Sequence, residues 1–384
     1  MTGSERNFPF RYLGMPLGPS RYVATIFDPL ITKIQYSIQH WTTNLLSYAG
    51  KIQLINAVVF GLENFWCSSC LVPKEVVKKI NRLCKKIFGG IPEGNIRIVF
   101  QRWANICAPW DRGGFNIKDL EKWNITLPLN WTRSLSADGQ GLWVKCHQAY
   151  VLKQDSIWTV QSKAQYSSSF KGILAARDYL IAKAGSLQAA KFLLNSCITD
   201  QKLHFSKLYD YLIVAPVQED WYSVLLHPKI IPSHRIITSL AVQLKLATVD
   251  NLQVRGFHLA NRCCLCKQAQ ENHQHLFFGC PFSMTVWSGL LSWLRLSHQP
   301  RDLVTELQWI HQQADNKDWI TIWFKITLVA AVYKIWHERK SRIFHQKESL
   351  ALAIINDVKF VVSVRMYMLS KHKHFSSMVG SLCT

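Results

Sequence analysis

The sequence is short of acid. It has 24 Asp and Glu against 45 Lys and Arg in 384 residues, a formal charge of +21. Nowhere do two aspartates stand side by side. That balance argues against a cationic partner and for a polyanion, either nucleic acid or an anionic membrane surface. The alternative is a generic basic surface with no dedicated ligand. No Gly-x-Ser-x-Gly elbow, phosphate-binding Gly-rich loop or His-Glu-x-x-His is present, so no local signature supports a nucleophile triad, a nucleotide triphosphatase or a zinc protease. Low-complexity tracts and clean repeats are missing too. There is no N-terminal signal region, and the eleven cysteines are an odd number scattered along the chain. Both features speak against a secreted disulfide framework and lead us to expect a reducing intracellular compartment, nucleus or cytoplasm. Long apolar runs are scarce. Residues 52–73 carry one charge, Glu63, but also Gln53, Asn56, Asn64, Ser68 and Ser69. Residues 326–333 are too few to span a bilayer and are bracketed by Lys325 and Lys334. Buried helices, with no membrane partner, are the expectation for both.

What is there suits packed helical cores. The hydrophobic fraction is 48% and there are 15 Trp. The length predicts two or three domains. Ile26, Leu30, Ile34, Ile38 and Trp41 recur at helical spacing and predict a helix over 26–41. A second helix starts at Ser47 and carries Ile52, Leu54, Ile55 and Val58. A third follows Pro73, with Val76, Val77, Ile80, Leu83, Cys84 and Ile87 on one face and lysines on the other, and Gly89-Gly90 ends it. Residues 96–120 read as short strands around a Gly113-Gly114 turn. Residues 138–140 and 167–169 read as loops, 171–194 as one helix, and 234–246, 282–296 and 319–344 as further helices. The fold class is therefore mainly α, multi-segment, with a few short strands and a small metal module.

That module is the most specific signal. Within NRCCLCKQAQENHQHLFFGC, Cys263, Cys266, His275 and Cys280 have the spacing C-x2-C-x8-H-x4-C. Three sulfurs and one nitrogen suit a closed tetrahedral zinc site, structural and not catalytic. The competing reading is chance, with the thiols packed as small hydrophobes. Cys264 is an extra thiol beside the first ligand. His273 is the alternative to His275; we favour His275 because Leu276, Phe277 and Phe278 follow it and can anchor the ring. Cys67-Ser68-Ser69-Cys70 repeats the first spacing without later partners and reads as packed thiols.

Two basic runs are candidates for phosphate contact. One is Lys78, Lys79, Arg82, Lys85 and Lys86 on the third helix. The other is Lys334, His337, Arg339, Lys340 and Arg342, interleaved with Tyr333, Trp336 and Phe344, a mixture that suits phosphate pairing with base stacking. Arg262 and Lys267 flank the metal module. For the second run the alternative is an ordinary solvated face on a helix whose aromatics pack inward, and for Arg262 and Lys267 it is an offset to the thiolate charge of the metal site.

The metal segment with its HLFFGCPFS continuation and Trp287 resembles the zinc-binding domain at the C-terminus of plant LINE-type (non-LTR) retrotransposon reverse transcriptases. KIIPSHRIITSLAVQLKLATVDNLQVRG resembles the helical approach to that domain, and AAVYKIWHERKSRIF its tail helix. FRYLGMPLG, Trp41 and the stretch LSYAGK at 46–51 resemble the thumb-side region, and APWDRGGFNIKDLEKWN the connection after it. The resemblance implies a thumb-like segment at 1–90, a connection at 91–200, the zinc-binding domain at 201–300 and a helical tail at 301–384. It implies structural zinc and a nucleic-acid partner, RNA foremost. The family's polymerase needs paired carboxylates for two Mg²⁺ ions, in a Phe/Tyr-Ala-Asp-Asp motif. Here Asp138 and Asp315 follow Ala but stand alone, and the chain begins after the palm. The family's Gly-Asp-Gly…Trp-x-Asp-x-Trp segment is not recognisable between Trp158 and Phe205. The expectation is a non-catalytic remnant that binds nucleic acid. Alternatives are an interaction protein or relic, self-associating through apolar thumb surface left uncovered, and a subunit completed by a palm in trans.

Overall fold

A computed structural model describes residues 10–12, 15–17, 24–41, 46–88, 102–137, 141–213, 222–313 and 319–370. Two hairpins hold the described strands: β1 Phe10–Tyr12 with β2 Met15–Leu17, and β3 Ile198–Thr199 with β4 Lys202–Leu203. The rest is helix. In chain order these are α1 Asp28–Trp41, α2 Tyr48–Leu54, α3 Phe60–Ser69, α4 Lys74–Phe88, α5 Trp103–Cys107, α6 Leu120–Thr126, α7 Leu129–Ser136, α8 Leu142–Cys146, α9 Ser168–Ala184, α10 Leu187–Ser196 and α11 Phe205–Leu212. Then come α12 Tyr222–Leu225, α13 Pro232–Val242, α14 Val249–Val254, α15 Pro281–Trp293, α16 Leu303–Gln312, α17 Trp319–Lys340 and α18 Ala351–Ser370. The mainly α expectation holds. The chain divides into two compact units, residues 1–46, 50–99 and 116–215, and residues 47–49, 100–115 and 216–384.

In the first unit, α1 turns Leu30, Ile31, Ile34 and Ile38 inward, beside Phe27 of the 3-10 turn before it. α4 buries Val76, Val77, Ile80, Cys84 and Ile87 and leaves Lys78, Lys79, Arg82, Lys85 and Lys86 exposed. The Pro73 carbonyl accepts from the Val76 and Val77 amides and starts that helix. Gly89-Gly90 and residues 138–140 lie outside the described residues. Cys67, Cys70 and Cys84 are buried, and desolvation raises the Cys70 thiol to about 12, as packed thiols require. Asn124, also buried, accepts from the Val72 amide at 3.0 Å and donates to its carbonyl at 2.8 Å, tying α6 to the turn before α4. A second cluster gathers Leu129, Leu152, Phe170, Leu174, Leu180, Leu194, Leu208 and Leu212.

Three expectations are corrected here. The helix expected over 171–194 is two, α9 and α10. Gly185 takes φ +83° and ends α9, and the Ser186 hydroxyl caps α10 by accepting from the Ala189 amide. Residues 167–169 are not a loop: Ser167 caps α9, accepting from the Phe170 amide, and the helix starts at Ser168. In the second unit, the described part of 96–120 is not stranded: α5 and a 3-10 turn at Trp110–Arg112 lead into Gly113, at φ +79°. Gly114 presses on the preceding chain so closely that a Cβ there would sit 1.8 Å from the Ala108 carbonyl oxygen.

The second unit is built on α17. It buries Ile322, Trp323, Ile326, Leu328, Val329, Val332, Ile335 and Trp336 and packs against α13, α15, α16 and α18. With its π-helical extension it runs Trp319–His345, and among the described residues it is the helix long and apolar enough to cross a membrane. Of its most apolar window, 72% is buried inside the protein, which is how a core helix spends its apolar surface.

Candidate metal centre

The metal loop enters from α14. Gly256 turns the chain at φ +89°, and an extended run reaches Cys263. A tight knuckle follows. The Lys267 amide donates to the Cys263 carbonyl at 2.8 Å, with Lys267 at φ +57°, and the Cys263 amide donates to the Ala269 carbonyl at 2.8 Å. The Leu265 and Cys266 amides point at the Cys263 sulfur, which favours its thiolate.

The other half is a π-helical turn, His275–Gly279, that ends on Cys280. Asn272 starts it, its side-chain oxygen accepting from the His275 amide at 2.8 Å. Leu276, Phe277 and Phe278 are buried, the anchor expected of them. Cys280 is the N-cap of α15, with Pro281 in the first turn, and the Phe282 and Ser283 amides point at its sulfur.

The two halves bring Cys263, Cys266, His275 and Cys280 together, with all ligand atoms within 4.8 Å of one another. The Cys263 and Cys280 sulfurs are 3.9 Å apart, and the Cys266 sulfur is 3.3 Å from His275 Nε2. Tetrahedral zinc, with bonds of ~2.3 Å to sulfur and ~2.0–2.1 Å to nitrogen, sets neighbouring ligand atoms about 3.5–3.8 Å apart. The donor set and its spacing fit zinc. The Cys263 thiol donates to the Cys280 sulfur, which holds Cys263 above and Cys280 below the ordinary thiol value. A bound zinc ion would be held by these three sulfurs and the imidazole, and would favour their deprotonated forms.

His273 has another job. Its Nε2 accepts from the Leu246 amide at 3.2 Å, and its Nδ1 lies 3.2 Å from the Thr248 hydroxyl. A ring that accepts from an amide is neutral there, and burial holds its pKa down at about 4. Both nitrogens being engaged, the ring braces the α13–α14 turn. Cys264 turns away from the cluster, its sulfur 3.9 Å from the Arg339 carbonyl.

The spacing of the ligands gave no hint of what surrounds them. Glu271 is fully buried, and its Oε1 accepts from Arg339 Nη2 at 2.6 Å, Arg339 Nε at 3.0 Å and the Val249 amide at 2.9 Å. Arg342 donates from Nε to Glu338 at 2.8 Å, from Nη1 to the Cys264 and Leu265 carbonyls at 3.3 and 3.0 Å, and from Nη2 to the Ser349 carbonyl at 3.0 Å. Both arginines were expected to face phosphate. Their side chains are only 4% and 8% exposed, and the donors just named are spent inside the protein. The helix that carries them is apolar on nearly every side, and these two of its basic residues are drawn inward.

The remaining basic candidates stay on the surface. Lys267 pairs with Glu348 at 2.7 Å and Lys334 with Asp357 at 2.8 Å, both partly or well exposed. Lys340 lies half-buried, 5.8 Å from the Trp336 ring, and Arg262 is exposed.

Residues 204–287 match the family described as zinc-binding in reverse transcriptase. The cluster lies within that match. Over 164 residues the chain is 22% identical to an Arabidopsis thaliana protein described as "Putative ribonuclease H protein", a stretch covering 41% of this chain. The chain spans 26% of that protein's length. The resemblance read from the residues is thereby supported: residues 204–287 are similar to the zinc-binding domain of reverse transcriptases, and the four ligands fall inside that stretch.

Proposed function

We propose that this retrotransposon-derived chain binds nucleic acid, RNA foremost, through sequence-tolerant phosphate contacts, and that its zinc holds structure without taking part in chemistry. The observation that carries the reading is the exposed face of α4. Lys78, Lys79, Arg82, Lys85 and Lys86 line one side of a helix whose other side is core. They have no acidic neighbour on the helix except Glu75 in its first turn. Zinc is held by Cys263, Cys266, His275 and Cys280, a ligand set with no open position.

The relative's name raises nuclease chemistry as a second reading. A two-metal nuclease or polymerase is organised by carboxylates. The group that the described residues bring together is three thiols and an imidazole, which supports the non-catalytic reading.

Binding of a fluorescent single-stranded RNA, followed by anisotropy over a salt series, tests the proposal. Each phosphate contact to a single strand contributes about −0.7 to the slope of log K against log salt, so the α4 face accounts for roughly −3 to −4. Replacing its five cations with Gln removes most of that slope. A flat salt response, or a quintuple variant that binds as well as the parent, rejects it. Mg²⁺-dependent cleavage of an RNA–DNA hybrid by the purified chain would overturn the non-catalytic part.

A further inference from the structure

The Arg342 guanidinium touches both halves of the metal centre. Its Nη1 reaches the carbonyls of Cys264 and Leu265, the two residues between the first two ligands. Its plane lies 4.7 Å from the ring of Phe282, two residues after the last ligand. The Phe282 amide is one of the two that point at the Cys280 sulfur. One planar cation thus grips the knuckle from its carbonyl side and leans on the turn that supplies Cys280.

Arg342 is itself fixed. Glu338, whose side chain is 3% exposed, accepts from Arg342 Nε and, on the same oxygen, from the Ser349 amide at 2.7 Å. The Ser349 carbonyl takes Nη2. Every guanidinium nitrogen is engaged, in a geometry that a forked, permanently charged group satisfies and an ammonium does not.

We infer that Arg342 is a positioning residue for the metal: it holds the Cys263–Cys266 knuckle and the Cys280 turn at tetrahedral separation, so that its loss weakens zinc without removing a ligand. The inference rests on the zinc reading above. Groups that orient ligands from behind typically change metal affinity by roughly 10–100-fold when removed.

The test uses the full chain loaded with Zn²⁺ or Co²⁺. Affinity is read by competition with a chelator, and the site's shape by the Co²⁺ d–d and thiolate charge-transfer bands. Arg342→Ala should lose roughly 10–100-fold in affinity and alter the Co²⁺ spectrum. Arg342→Lys, which keeps charge and stem but reaches fewer carbonyls, should recover part of both. Ile355→Ala, which loosens α18 against Gly289 of α15, is the control. It should lower stability and leave affinity and spectrum in place. Unchanged affinity in Arg342→Ala overturns the inference, and so does a control that loses as much affinity. Where Arg342→Ala does not fold, Arg342→Lys decides: parental affinity and spectrum refute it. A parent chain that takes up less than one equivalent of zinc overturns the metal reading and the inference with it, and this is seen before any substitution is made.

Discussion

Removing Glu271 should cost this protein a large part of its stability. The carboxylate is fully buried, and the Arg339 side chain that it pairs with is 4% exposed. Glu271→Ala leaves that guanidinium in the interior with no counter-charge, a loss of about 3–5 kcal/mol. It also strands the Val249 amide, which adds about 1–3 kcal/mol. Set against a typical total of about 5–15 kcal/mol, the sum approaches half the stability of an ordinary domain. Glu271→Gln keeps an acceptor for Val249 and loses the charge, so it should fall between. Arg339→Ala strands the carboxylate instead, at a similar cost. The double variant removes both ions and should cost far less than the two single changes added together. Urea unfolding of the zinc-loaded chain, analysed as a double-mutant cycle, measures this. A coupling below about 0.5 kcal/mol, within the range seen for independent sites, would refute the reasoning.

Other outcomes follow from the same contacts. A chelator should unfold residues 263–280 first, because zinc contributes on the order of 10–16 kcal/mol to modules of this kind; hydrogen exchange reads it. His275→Ala should lose stoichiometric zinc, while Cys264→Ser and His273→Ala keep it, the last at reduced thermal stability; metal analysis separates them. His234 is buried against the Tyr333 ring, 4.2 Å away, and burial, then Lys334, lowers its pKa from 6.5 to about 4. The unfolded chain therefore binds the extra proton first. The stabilisation is complete above about pH 6.5, and up to ~3 kcal/mol is lost as pH falls toward 4. His234→Phe should flatten that part of the stability–pH curve. Gly114→Ala places a Cβ against the Ala108 carbonyl and should destabilise by more than ~2 kcal/mol in thermal melts, because backbone meets backbone there.

The legible features were the local ones. The α4 face announced itself through period, since Val76, Val77, Ile80, Cys84 and Ile87 sit on one side. The metal ligands announced themselves through spacing. The break at Gly185-Ser186 was also written in the sequence, as a C-terminal glycine followed by a capping serine, but the apolar period on either side masked it. Residues 103–112 were misread because two glycines suggest a hairpin, whereas the chain approaches itself through two short helical turns. Glu271–Arg339 and Arg342–Leu265 were beyond reach, because partners 68 and 77 positions apart leave no mark in local spacing. That distance is also why two internal arginines looked like ligands for phosphate.

The same distance bears on where the molecule can be cut. The family match stops at 287, and the last metal ligand is Cys280. Arg339 and Arg342, which grip the loop, come 59 and 62 residues after that ligand (339 − 280 and 342 − 280). A fragment expressed as 204–287 carries every ligand and neither arginine. It should express poorly and bind zinc weakly, whereas a fragment that keeps both arginines should hold zinc more tightly. For the crystallographer choosing an expression boundary, the homology border is the wrong place to stop.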